Sequence, residues 1–151
     1  MTGIRKRFDL DLYNENDNKA KNKAKELLVN SGFDVEDNPK KRGVDLLIFK
    51  DGKHIANIEC EIKKVWKGPV FRYPTIQFPE RKKKFAELEI PTVFLMFNED
   101  LSAHLAVRGS DLLKSPLVEV PNKYCFKGEL FFQVPLEQTV FNDIIKVLKS
   151  I

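Results

Sequence analysis

The stretch from Val44 to Lys63 constrains the fold most, because it reads as two strands around a tight turn at Asp51-Gly52. Side chains two apart on a strand share a face. Glu59, Glu61 and Lys63 therefore point one way, and Ile58, Cys60 and Ile62 point the other. The first strand opens on a single acid, Asp45, and the second closes on Glu-x-Glu-x-Lys. Three charges thus gather at the end of a hairpin whose other residues are largely core-forming.

The turn decides whether Asp45 joins them. A two-residue loop pairs Lys50 with Lys53 and Asp45 with Ile58, which puts Asp45 on the face opposite Glu59 and Glu61. A three-residue loop, Lys50-Asp51-Gly52, pairs Phe49 with Lys53 and Asp45 with Asn57, with Gly52 in the left-handed position of a bulge. All four charged residues then share a face. The expectation is this bulged loop, or an equivalent bulge further along. Asp45 and Glu61 on opposite faces would refute it.

Around the hairpin, Ala20, Ala24, Leu27 and Leu28 recur at helical spacing from about Asp17, with Asp17 or Asn18 as cap and Gly32 as stop. Residues 1–16 are weakly patterned and read as a peripheral arm. Residues 66–77 read as a linker whose aromatics, Trp66, Phe71 and Tyr73, either stack on unpaired bases or, more commonly, pack on the domain. Pro79 fits the first position of a helix reaching about Glu89, anchored by Phe78, Phe85 and Leu88. Further strands are expected at 93–97, 104–107 and 130–134. A helical turn is expected at 109–114 and a last helix at about 137–150. No repeat or second domain is visible, so 1–151 reads as a single α/β domain with a central mixed sheet and flanking helices.

With 151 residues, 42% hydrophobic and 32% charged, the chain is long and apolar enough for a core yet polar enough to be soluble. The longest apolar run, 93–97, is far too short to span a membrane, and no apolar run follows the first seven residues as a cleavable signal would require. Cys60 and Cys125 form no disulfide framework and read as buried thiols of a reducing, cytoplasmic compartment. Charge is unevenly spread. From Lys63 to Lys84 there are eight Lys or Arg against one acid, Glu80, so this window carries +7 and the rest −3, for +4 overall. A local positive field attracts polyanions, although most charge runs are simply solvated faces.

Carboxylates facing a basic surface suit phosphodiester hydrolysis assisted by a hard cation. Mg²⁺, with Mn²⁺ as a substitute, takes a few carboxylate oxygens and keeps several waters. Such an ion polarises phosphate and helps make hydroxide from water, and a fixed ammonium stabilises the charge that develops. Asp45 and Glu61, with the Ile62 carbonyl, are the candidate metal ligands, and Lys63 is the candidate cation. Glu59 is a ligand, a base or a supporting partner. The plain alternative is a set of cross-strand ion pairs on an exposed sheet face. His54 reads as exposed beside the turn, and His104 has no nearby His or Cys, which leaves a zinc site without support.

Asp45 and Glu61-x-Lys63, in the order helix, antiparallel hairpin, helix and strand, resemble the PD-(D/E)XK nuclease superfamily over roughly residues 17–97. The resemblance implies a restriction-endonuclease-like fold, in which the central sheet carries a catalytic hairpin. It implies a Mg²⁺-dependent nuclease that acts on DNA by water attack. Asp45, Glu61, Lys63 and Glu59 would be catalytic, and Glu59 with Glu61 is an alternative carboxylate pair. Lys64, Lys67, Arg72, Gln77, Arg81, Lys82 and Lys84 would form the DNA-facing surface. Symmetric cutting of two strands would require a homodimer. Two departures stand out. Val44 replaces the proline of the name, and the expected first helix carries no glutamate but Glu26, away from the aligned positions Lys21 and Asn22. A non-cutting nucleic-acid-binding module and a protein-interaction domain are the other readings.

Overall fold

The computed structural model describes residues 10–122 and 125–151, with backbone alone at 10–17, 121–122 and 125–128. Helix α1 (Leu10–Val29) begins well before Asp17, so Asp17 and Asn18 are interior residues and part of the expected arm is helical. The weak helix aversion of Asp and Asn is easily overridden in a long helix. Ala20, Ala24 and Leu28 are fully buried, as their spacing requires. The helix ends as expected. Gly32, at φ +92°, reverses the chain while Gly32 N donates to Val29 O and Phe33 N to Leu28 O. This pair of bonds is a Schellman closure, which glycine favours because it has no Cβ to oppose the left-handed conformation.

Three antiparallel strands follow: β1 (Asp34–Asp37), β2 (Leu46–Lys50) and β3 (Lys53–Ile62). After a crossover, β5 (Thr92–Phe97) pairs in parallel with β3, and β6 (His104–Arg108) and the short β9 (Val140–Phe141) complete a mixed six-stranded sheet. All six β5 side chains are buried, because both faces of this central strand are covered. One face packs its aliphatic residues, Ile48, Ile58, Cys60 and Leu95 among them, against α1 and the C-terminal helix α4 (Ile144–Lys149).

The other face differs from the expected flanking helices. It meets a second, antiparallel sheet of β4 (Thr75–Pro79), β8 (Cys125–Pro135) and β7 (Leu117–Asn122). Ile76, Phe78, Phe132 and Val134 point inward from it onto Phe94 and Met96. Part of the expected linker is thus a strand, and Trp66 and Phe71 are buried in this core. The helix expected from Pro79 to Glu89 shrinks to a 3-10 turn (Glu80–Lys82) and the single-turn α2 (Lys83–Ala86). Phe85 O accepts from Leu88 N and from the Thr92 hydroxyl, so the helical ladder stops there. Leu88, an expected anchor, is 45% exposed.

The helical turn at 109–114 is present as α3 (Gly109–Leu113). The last helix is shorter than expected. Val140 and Phe141 pair with β6, Asn142 turns at φ +53°, and Asp143 caps α4 by accepting from Lys146 N. No described helix is long and apolar enough to cross a membrane.

Candidate functional site

The hairpin has the two-residue loop, and the bulge lies further along. Lys50 pairs with Lys53 across Asp51 and Gly52, whose φ values of 52° and 77° match a type I′ turn. Phe49 then pairs with His54 but Ile48 with Ala56, so Ile55 is an extra residue on β3. Beyond the bulge, Leu46 faces Ile58. Continued one step, this register sets Asp45 against Glu59, not against Asn57. The shift is an even number of residues, so the expected common face survives although the expected loop does not.

The Asp45 side chain reaches across to β3, where Oδ2 accepts from Cys60 N at 2.9 Å. Glu59 is 9% exposed, and its Oε2 accepts from the ammonium of Lys82. Its other oxygen, Oε1, is buried without a hydrogen-bond partner. Burial pushes Glu59 up to about 8; Lys82 pulls it down and Asp45 pushes it further up. Glu61 is also raised by burial, against the attraction of Lys82, Arg81 and Lys63. Burial would lower Lys82, but Glu59, then Glu61 and Asp45, outweigh it and hold the ammonium above its ordinary range. Asp45, just before β2, and Glu59 and Glu61 on β3 therefore gather about one half-buried ammonium, a charge balance that favours a retained proton or an added cation.

Lys82 was expected on a DNA-facing surface, and the structure places it among the carboxylates instead. The short 3-10 turn after β4 aims it inward, and no sequence pattern distinguishes it from Lys83 and Lys84. Arg81 is anchored at 2.6 Å to Glu129, on β8, a contact without sequence signature. Gln77 is half-buried within β4 opposite Gln133. Lys64 and Arg72 are exposed, and Lys67 is exposed with Glu99 3.7 Å away. Lys84 is exposed over the Phe85 ring. Lys63 leaves β3 with its backbone tied to Phe97 and Trp66, and its charge acts on Glu61. The Ile62 side chain packs on the opposite face, against the α1 core.

Glu26 is exposed and lies near Lys23, away from this cluster. It is not the sole glutamate of α1, because the longer helix also includes Glu15. Cys60 is buried on the aliphatic face, and the Cys125 side chain lies outside the described residues. His54 is half-buried rather than exposed, with its ring stacked on Phe49. His104 is buried and held below its ordinary pKa by that burial, with Asp143 opposing and Lys23 adding to the shift.

Among the described residues, no three His, Cys, Asp or Glu side chains are arranged to hold a metal ion. Two features nevertheless fit a hard cation: an all-oxygen donor set, and the buried, unpartnered Glu59 Oε1. In this structure the cation within the cluster is Lys82. Comparison with protein-family models and with curated proteins finds no match for this chain.

Proposed function

We propose that the protein is a Mg²⁺-dependent nuclease that hydrolyses DNA phosphodiesters, with the restriction-endonuclease-like fold. The observation that carries this reading is the gathering of Asp45, Glu59 and Glu61 on one face, beside Lys82 and Lys63. The order of helix, antiparallel hairpin, short helix and parallel strand supports it. When bound, the ion would supply Lewis acidity and a lowered water pKa. Asp45 and Glu61 would hold it, and Glu59 Oε1, whose lone pairs accept no hydrogen bond, would support them. Lys63 would neutralise charge on the phosphate. Lys82, which donates to Glu59, would balance negative charge within the cluster.

A second reading, a binding module that does not cut, is favoured by the Lys82–Glu59 pair, which already sets one cation within the cluster. Cleavage of labelled duplex, single-stranded and branched DNA, with Mg²⁺ and with chelator, separates the two. The nuclease reading expects Mg²⁺-dependent cutting that Asp45→Asn and Glu61→Gln abolish while DNA binding persists. Binding without cutting under every condition would reject it in favour of the module.

A further inference from the structure

On the same face of β3, beside the carboxylates, lies a cleft of about 590 Å³, within the size range of small-ligand sites. Its walls are apolar, formed by Val44, Leu47, Phe85, Leu88 and Ile90. Its charged lining is mainly cationic, with Lys40, Arg42 and Lys84 against Glu89. The segments that bring these cations also carry the cluster. Arg42 and Val44 precede Asp45, and Lys84 follows Lys82. Asn57, which lines the cleft, is two residues before Glu59, about 6.8 Å along the strand.

Two polar side chains in the cleft are held in defined orientations. Asn57 Nδ2 donates to Ile90 O at 3.0 Å, which fixes Oδ1 as the end facing His54. His54 Nε2 lies 2.8 Å from that Oδ1 and 3.1 Å from Ala56 O. Both neighbours are acceptors, so Nε2 carries a hydrogen. An apolar slot with cations around it matches a flat ring joined to phosphates. It matches a flexible acidic chain less well, because that has nothing to fill the slot.

We infer that this cleft receives one unpaired nucleotide of a DNA strand, next to the phosphate addressed by the carboxylates. The inference rests on the nucleic-acid reading of the site. It makes a frayed or overhanging end the preferred substrate over continuous duplex, because a stacked and paired base cannot enter.

The test is equilibrium binding of the full chain, in chelator, to labelled duplexes with a short single-stranded overhang. Matched probes are a blunt duplex and an overhang whose nucleotides lack bases. The expected result is about tenfold tighter binding to the overhang than to either matched probe, from the contribution of a stacked base. Leu88→Trp, which fills the slot from an exposed position, should remove that preference, and Arg42→Glu should weaken binding to both overhangs. Baseless overhangs binding as well as intact ones would overturn the inference, as would a glutamate-rich peptide competing equally well. Folding of each variant is checked by thermal melting, and the baseless probe keeps the test decisive if one variant unfolds. Base-dependent binding without any Mg²⁺-dependent cutting would leave the cleft standing and reject the nuclease. Asp45-dependent cutting with base-independent binding would do the reverse.

Discussion

The two faces of β3 show how one strand serves two purposes. Ile58 and Cys60 face α1 and α4 through aliphatic packing, where stability comes from removing apolar surface from water. Asn57, Glu59 and Glu61 face the other way, and there burial works against the charges. Glu59 is about as inaccessible as the aliphatic residues beside it, yet one of its oxygens has no partner. The fold thus holds the second face in place by means of the first. A carboxylate raised by burial persists because the strand beneath it is anchored from behind.

The largest expected effect is on chemistry. Asp45→Asn and Glu61→Gln should each lower Mg²⁺-dependent cleavage by about 10³-fold and Lys63→Ala by about 10²-fold, with folding intact by circular dichroism. Unchanged cutting in the carboxylate variants would dissolve the functional meaning of the charged face. Next is the buried ion pair. Lys82→Met strands Glu59 and should cost about 3–5 kcal/mol in urea unfolding above pH 8, and adding Glu59→Leu should restore most of it. Failure of the double variant to recover would show that Lys82 matters for packing rather than charge.

On the aliphatic face, Ile58→Ala should destabilise by about 2–5 kcal/mol while sparing the cluster's response to added Mg²⁺. A smaller effect concerns pH. Glu59 is raised from 4.5 to about 8 in the fold, so the metal-free native state holds a proton that the unfolded chain has lost. The resulting stability is present below about pH 4.5 and lost as pH rises through 8. The stability difference between the protein and Glu59→Gln, followed by thermal melts over that range, should show this fall. A rise would refute it. Smallest of all, Lys67→Ala should change stability by less than about 1 kcal/mol, because its pairing with Glu99 is solvent-exposed.

The hairpin and the α1 stripe were legible from local periods of two and near four, and the strands at 93–97 and 104–107 from short apolar runs that lie buried on both faces. The same locality hid other features. Pro79 and the basic run read as a helix start, but the Thr92 hydroxyl, brought back by the turn into β5, takes the Phe85 carbonyl and ends it. Val140 and Phe141 fit a helical face equally well, and only the edge offered by β6 makes them a strand. In the site, Asp45, Glu59 and Glu61 were legible from parity along two strands. Lys82 was not, since its inward aim depends on how β4 docks on β8. The cleft at His54 and Asn57 was equally hidden, because its walls come from segments far apart in the chain.

Ile55, the surplus residue in β3, has a consequence for how this molecule can vary over evolutionary time. Turns at the tips of hairpins ordinarily tolerate insertions and deletions. Here the turn and the Ile55 bulge can absorb a single-residue change and leave Asp45 opposite Glu59, whereas an odd change passed into the paired strands would turn Asp45 away from Glu59 and Glu61. Relatives that keep the chemistry should therefore carry any single-residue length difference in this segment at the turn or at the bulge.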